Sequence, residues 1–235
     1  MLRYTHESLV RRNTLLGRIL AFGGLGVLVL TLIASLVRPA SIGLILPFSL
    51  VGMAMSQAGS IYMSRWNARG RADLMLDEAL KGLDGRYAVC HFLLGTHHVL
   101  IGPPGLVALV PRSEVGLVEF EEGRWWITGY RKGQLHGKRR ELVGLTEDAE
   151  AAVRKLERKL SRVLPEHAQW DVTPVLVFLG EGTRVDADSP TPPAVHVKKL
   201  KDLVRRLPRR PGPTEAEIST LAALFPQPAP KKARA

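Results

Sequence analysis

Few residues in this chain are placed to do chemistry, and most of them fall in one stretch, RYAVCHFLLGTHHVLIGPPGLVALVPR, residues 86–112. It contains Cys90, His91, His97 and His98. Three neighbouring imidazoles would suit a borderline-soft metal. Adjacent strand residues point to opposite faces, however, so His97 and His98 cannot both enter one site from a regular strand. The competing reading is histidines packed or hydrogen-bonded within a sheet. Cys90 is the only cysteine, which excludes an intrachain disulfide and a CxxC zinc site. With no partner thiol and no evident base, it reads as a small buried hydrophobe rather than a nucleophile. A second candidate is the polar, basic stretch YRKGQLHGKRR, 130–140, whose Lys132, Lys138, Arg139 and Arg140 suit phosphate contacts. The plainer alternative is a solvated loop, or one resting on anionic lipid head groups. No Walker loop, GxSxG or HExxH occurs.

The elements that must position these residues follow from the pattern. Residues 87–94, 97–101 and 106–110 are apolar, β-favouring runs, and Gly102-Pro103-Pro104-Gly105 forces a turn between the last two. Before them, 72–83 predicts a helix with Leu76, Leu80 and Leu83 on one stripe. After them, 115–120 and 124–130 predict a hairpin in which Trp125 and Trp126 lie on opposite faces. Residues 145–164 predict the clearest soluble helix, capped by Thr146, with Ala149, Val153, Leu156, Leu160 and Val163 as its buried stripe. A core strand at 175–179, a loop over 180–193, a short edge strand at 195–197 and a basic closing helix at 200–207 complete the domain. A short helix at 214–225 and a basic end follow.

The first third of the chain is of another kind. Residues 19–37 and 40–64 carry no charge apart from Arg38 between them, and each is long enough to cross a bilayer. A signal peptide would have a shorter apolar core and a cleavage site after it, whereas here a second apolar run follows at once. Gly52, Ser56 and Ser60 offer small residues at spacing four for close helix contact. Arg3, Arg11, Arg12 and Arg18 precede the first run and Arg65, Arg69 and Arg71 follow the second, which predicts both termini in the cytoplasm. The formal net charge of +11 over 235 residues favours acidic partners, nucleic acid or an anionic membrane surface.

The stretch LDGRYAVCHFLL, then THHVLIGPPGLVALVPR, the Trp-bearing hairpin, the basic helix and TPVLVF together resemble the nuclease-related domain (NERD) family, over about residues 70–207. The resemblance implies a restriction-endonuclease-like fold of the PD-(D/E)xK group. Such nucleases place an acid on the first helix, an Asp on the second strand and Glu-x-Lys on the third. The carboxylates hold Mg²⁺, which activates water and neutralises phosphate charge. Carried onto this chain, the helix acid is Asp73, the strand Asp position holds His97, and the Glu and Lys positions hold Val110 and Arg112. Two of three acids are absent. Arg112 keeps positive charge without a deprotonatable amine. Glu114 is the nearest substitute acid.

The resulting expectation is an α/β protein: a two-helix transmembrane hairpin, then a restriction-endonuclease-like α/β/α domain with a mixed central sheet. The segments are 1–18 cytoplasmic, 19–37 and 40–64 transmembrane, 65–208 the NERD-like cytoplasmic domain, and 209–235 a Pro/Lys-rich tail. The leading functional reading is a catalytically inactive module that binds nucleic acid through Arg112, Lys132, Lys138, Arg139 and Arg140, or acts as a scaffold. It needs no cofactor. The alternatives are an active nuclease using Mg²⁺ and Glu114, and a structural membrane protein binding lipid or a protein partner.

Overall fold

The computed structural model describes residues 1–37, 42–66, 71–94, 98–131, 134–135, 137–162 and 170–210. The predicted helix at 214–225 and the basic end lie outside them. The chain divides into two compact units, 7–71 and the remainder, the latter including residues 1–6.

The helical unit consists of α1 (Glu7–Val37) and α2 (Ile42–Trp66). Among the described residues one helix, α1, is long and apolar enough to cross a membrane. It begins well before the apolar run, so Arg11, Arg12 and Arg18 lie on helix rather than in a leader. The two helices pack antiparallel through a seam of small residues. A Cβ on Gly24 would strike Ser56 N and come within 2.7 Å of the Gly52 carbonyl, one on Gly59 would strike Ala21, and one on Gly17 would lie 3.0 Å from Tyr62 Cβ. Backbones this close exclude any side chain and maximise dispersion contact. Gly52 and Ser56 are in the seam as their spacing predicts, but its third member is Gly59; Ser60 is exposed. Thr14 Oγ1 adds a hydrogen bond across the pair, donating to the Trp66 carbonyl at 3.3 Å.

The second unit is built on a mixed sheet. Its strands are β1 (Leu2–Thr5), β2 (Ala88–His91), β3 (His98–Gly102), β4 (Gly105–Arg112), β10 (Val172–Phe178) and β12 (Ala194–His196), in the spatial order β1-β2-β3-β4-β10-β12. β2, β3 and β4 form an antiparallel meander. Gly105, at φ 83°, gives the left-handed step that closes the Pro103-Pro104 turn. β10 runs parallel to β4, and β12 parallel to β10. The central strands are buried on both faces, as their unbroken apolar runs predict.

Alternation along the strands divides the core. Val89, Leu100, Val107, Leu109, Val175 and Val177 face α3 (Ala72–Ala79) and α5 (Leu200–Arg206), packing on Leu76, Leu80, Leu200 and Val204. Ala88, Cys90, Val99, Ile101, Leu106 and Ala108 face α4 (Leu145–Leu160), packing on Ala152, Leu156 and Leu160. The element order is therefore helix, three-strand meander, helix on the opposite face, then a parallel strand.

A second sheet, β11-β5-β6-β9, covers the α4 side. β5 (Leu117–Glu121) and β6 (Arg124–Thr128) are the predicted hairpin, while β9 (Arg140–Glu141) and β11 (Arg184–Asp186) were not expected. Between β6 and β9, β7 (Tyr130–Arg131) pairs with β8 (Gln134–Leu135). The predicted loop over 180–193 thus contains a strand, paired parallel to β5. Thr146 is not the cap of α4: Gly144, left-handed at φ 84°, holds the N-cap with no side-chain bond, and the helix begins at Leu145. Leu145 joins Ala149 and Ala152 on the buried stripe, which Val153 only partly shares. Val163 lies outside the described residues.

Candidate functional site

The family-type positions do not converge. Asp73 sits in the first turn of α3, buried, on the α3 face of the sheet. Val110 packs with the α4-side clusters, and Arg112, two residues on, also reaches α4. Its guanidinium donates to Asp148 at 2.8 Å and lies 3.3 Å from Glu114. A strand has a period of two, so 110 and 112 share the face opposite Asp73. His97 lies outside the described residues. Glu114 places one carboxylate oxygen 3.3 Å from Arg112, while its Oε2 is buried with no hydrogen-bond partner among the described residues.

What does assemble on the α3 face is a set of polar groups of which the sequence reading had grouped only His91 and His98, together with His97. His91 and His98 are directly opposite on β2 and β3. Their Nδ1 atoms are 2.7 Å apart and both rings are buried. His91 Nε2 is 3.1 Å from Asp77 Oδ1 on α3, and Arg3 of β1 is 3.7 Å from the other Asp77 oxygen. Asp73 lies one turn before Asp77 on the same helix. The row Arg3, Asp77, His91, His98 thus links β1, α3, β2 and β3. The carboxylate of Asp77 accepts from His91 Nε2–H, so His91 Nδ1 presents a lone pair and His98 Nδ1–H donates to it. Phe92, at φ 62°, sets its ring edge-on to His98 with centroids 5.0 Å apart.

This donor set does not fit the hard cation that the nuclease resemblance implies. Mg²⁺ takes about six oxygen ligands. Val110 supplies none, Arg112 is a cation, and Asp77 already faces Arg3 and His91. Among the described residues no three His, Cys, Asp or Glu side chains are grouped to hold a metal ion. Cys90 is buried on the α4 face, and that burial pushes its thiol up to about 12, far from nucleophilic at neutral pH.

The predicted nucleic-acid contacts are half committed inside the fold. Arg139 bonds Glu121 at 2.6 Å, approaches Glu119 at 3.4 Å, and lies over the Trp126 ring, 4.9 Å from its centre. The bond to Glu121 raises its already high pKa further. Lys138 and Arg140 are exposed, and Lys132 is outside the described residues. Trp125 is buried under the hairpin and Trp126 faces Arg139, the alternation that the sequence predicts.

The His–His–Asp row was missed because its members are separated by up to 21 positions, from 77 to 98, and only strand register brings them together. The available signal was that His91 and His98 lie seven apart on either side of the Gly95-Thr96 break in the sequence, which permits opposition across a hairpin. Compared with protein-family models, curated proteins and solved structures, the chain matches none of them.

Proposed function

We propose that this chain is a membrane-anchored module of the nuclease-related (NERD) type in which metal-dependent hydrolysis has given way to a binding or scaffolding role. The observation that carries it is the division of the expected site. The helix acid faces one side of the sheet, Val110 and Arg112 face the other, and the acid-side cluster is closed by paired histidines. Support for the resemblance comes from the order of elements: a helix, a three-strand meander, a helix on the opposite face and a parallel strand, with mixed strand directions. Glu114, the acid on which a working nuclease would depend, is held by Arg112.

In this reading α1 and α2 both cross the bilayer. Two features support it. α2 is 25 residues long and uncharged until Arg65, and β1 precedes α1 while β2 follows α2, yet the two strands pair residue for residue. A chain that leaves a sheet and returns to it crosses a bilayer an even number of times. The arginines flanking the pair set the sheet on the cytoplasmic side. Nucleic acid is the ligand class that the resemblance suggests, met by Lys138 and Arg140.

The test uses the full chain in nanodiscs with labelled DNA and RNA, with Mg²⁺ or Mn²⁺, beside Asp73→Ala and Glu114→Ala. The expected result is no cleavage by any of the three proteins. Cleavage by the parent that disappears in either variant would make this a tethered nuclease and end the proposal. Binding that weakens in Lys138→Ala/Arg140→Ala would identify nucleic acid as the ligand.

A further inference from the structure

The most cation-rich run among the described residues is not the loop that the sequence singles out. Arg3, Arg86, Arg112, Arg139 and Arg154 each face a carboxylate. By contrast, the segment KKLKDLVRRLPRR, 198–210, carries Lys198, Lys199, Lys201, Arg205, Arg206, Arg209 and Arg210 against Asp202 alone. Seven cations less one acid is six charges of the chain's net +11. Leu200 and Val204 turn inward to the core and fix which side looks out. Lys198, Lys199, Arg205, Arg206 and Arg209 are exposed, and among the described residues none has a carboxylate partner. Lys201 donates to the Lys81 carbonyl at 3.2 Å, and Arg210 is 3.5 Å from Asp171.

We infer that this surface, α5 with its two flanks, docks on anionic lipid head groups of the bilayer that α1 enters. The inference rests on the membrane reading above and adds a second, electrostatic attachment to the apolar one. The segment has no aromatic or histidine side chain on which a base could stack, whereas aromatic platforms are the usual means of holding single strands. Its chemistry is charge alone, which suits a dense, featureless array of phosphates. A lipid surface held by the same chain presents those phosphates at high effective concentration. Basic residues near an anionic leaflet are drawn to it over a Debye length.

The full chain is placed in nanodiscs of phosphatidylcholine, alone or mixed with phosphatidylglycerol. A dye on Pro208→Cys, an exposed position, reports energy transfer to a head-group dye; Cys90, buried and with its thiol pushed up to about 12, stays unlabelled. Transfer is expected to be higher in the anionic discs and to fall to the neutral-disc value at about 1 M salt. It should fall likewise in Lys198→Gln/Lys199→Gln/Arg205→Gln/Arg206→Gln. Each cation near the surface is worth roughly fivefold, so the four together should lower the docked-to-undocked ratio more than a hundredfold. Equal transfer in both lipids, or an anionic preference that survives the four substitutions, overturns the inference. So does duplex DNA or RNA binding in neutral discs that needs those four residues while lipid transfer does not; the surface is then a nucleic-acid site. Retention in neutral discs at high salt reads the apolar anchor separately: a chain lost from them fails the membrane reading, whatever the patch does.

Discussion

The paired histidines allow a prediction that separates a hydrogen-bonded unit from two independent polar residues. His91 and His98 are both buried, and the 2.7 Å between their Nδ1 atoms leaves room for one shared proton. Replacing His98 by Leu removes the donor to His91 Nδ1 and leaves that nitrogen buried with its bond unmade. Such an orphan costs about 1–3 kcal/mol. Replacing His91 by Leu takes from His98 Nδ1 its contact with His91 and also takes a partner from Asp77, which keeps Arg3. When both are leucine, neither nitrogen remains, so the double variant should lose clearly less than the sum of the singles. A coupling of about 1–2 kcal/mol is expected, within the range for residues in direct contact. For a chain of this size about 2 kcal/mol moves the melting midpoint by roughly 4–8 °C. The assay is thermal unfolding of the full chain in detergent, followed by the fluorescence of its four tryptophans, of which Trp125 is buried in the core. Losses that add to within about 0.5 kcal/mol would refute the reasoning, because independent sites add in that way.

Two further outcomes follow from the described contacts. The Cys90 thiol is raised by burial from 9.0 to about 12, so folding favours its protonated form; its contribution is complete below about pH 9 and is lost as the pH rises toward 12, and Cys90→Ala should flatten that alkaline decline in denaturant titrations. At neutral pH a thiol reagent should modify Cys90 only as fast as the core opens. Gly24→Leu should force α1 and α2 apart, because a Cβ there already meets the backbone of Ser56 and Gly52; the loss should exceed about 1–3 kcal/mol for overpacking, read as earlier unfolding and faster proteolysis, whereas Gly26→Leu, with open space about it, should be near neutral.

Much of the architecture was legible because it rests on local pattern. Apolar runs placed β2, β3, β4 and β10, although β2 ends at His91, where Phe92 turns left-handed, and not at Leu94 as the run predicts, and the stripe Leu76, Leu80 mapped α3. Where the prediction failed, the deciding interaction was non-local. β1 is four residues, LRYT, ahead of an apolar helix, and nothing in it signals a partner 86 positions away. β11 and β9 are three- and two-residue strands whose existence depends on the edges of β5 and β6. The α4 cap was misplaced because Thr146 has the right chemistry, while Gly144 has the conformational freedom that the chain direction required there. For the site, residue types were readable and their facing was not. Asp73 and Arg112 look like partners in sequence, but the parity of β4 puts Arg112 with Asp148 instead.

β1 also has a consequence for how the protein is made. Leu2 to Thr5 are synthesised first, but their backbone partners, Ala88 to His91, leave the ribosome only after both apolar helices have done so. Until then the strand has nothing to pair with, and closing so long a loop is entropically slow compared with forming the adjacent β2–β3 hairpin. The sheet edge therefore forms after both helices have been synthesised, and its formation ties the two ends of the helical segment to one another. Under the proposed two-span reading, a nascent chain with only one helix inserted would hold the two strands on opposite sides of the bilayer and could not complete this edge.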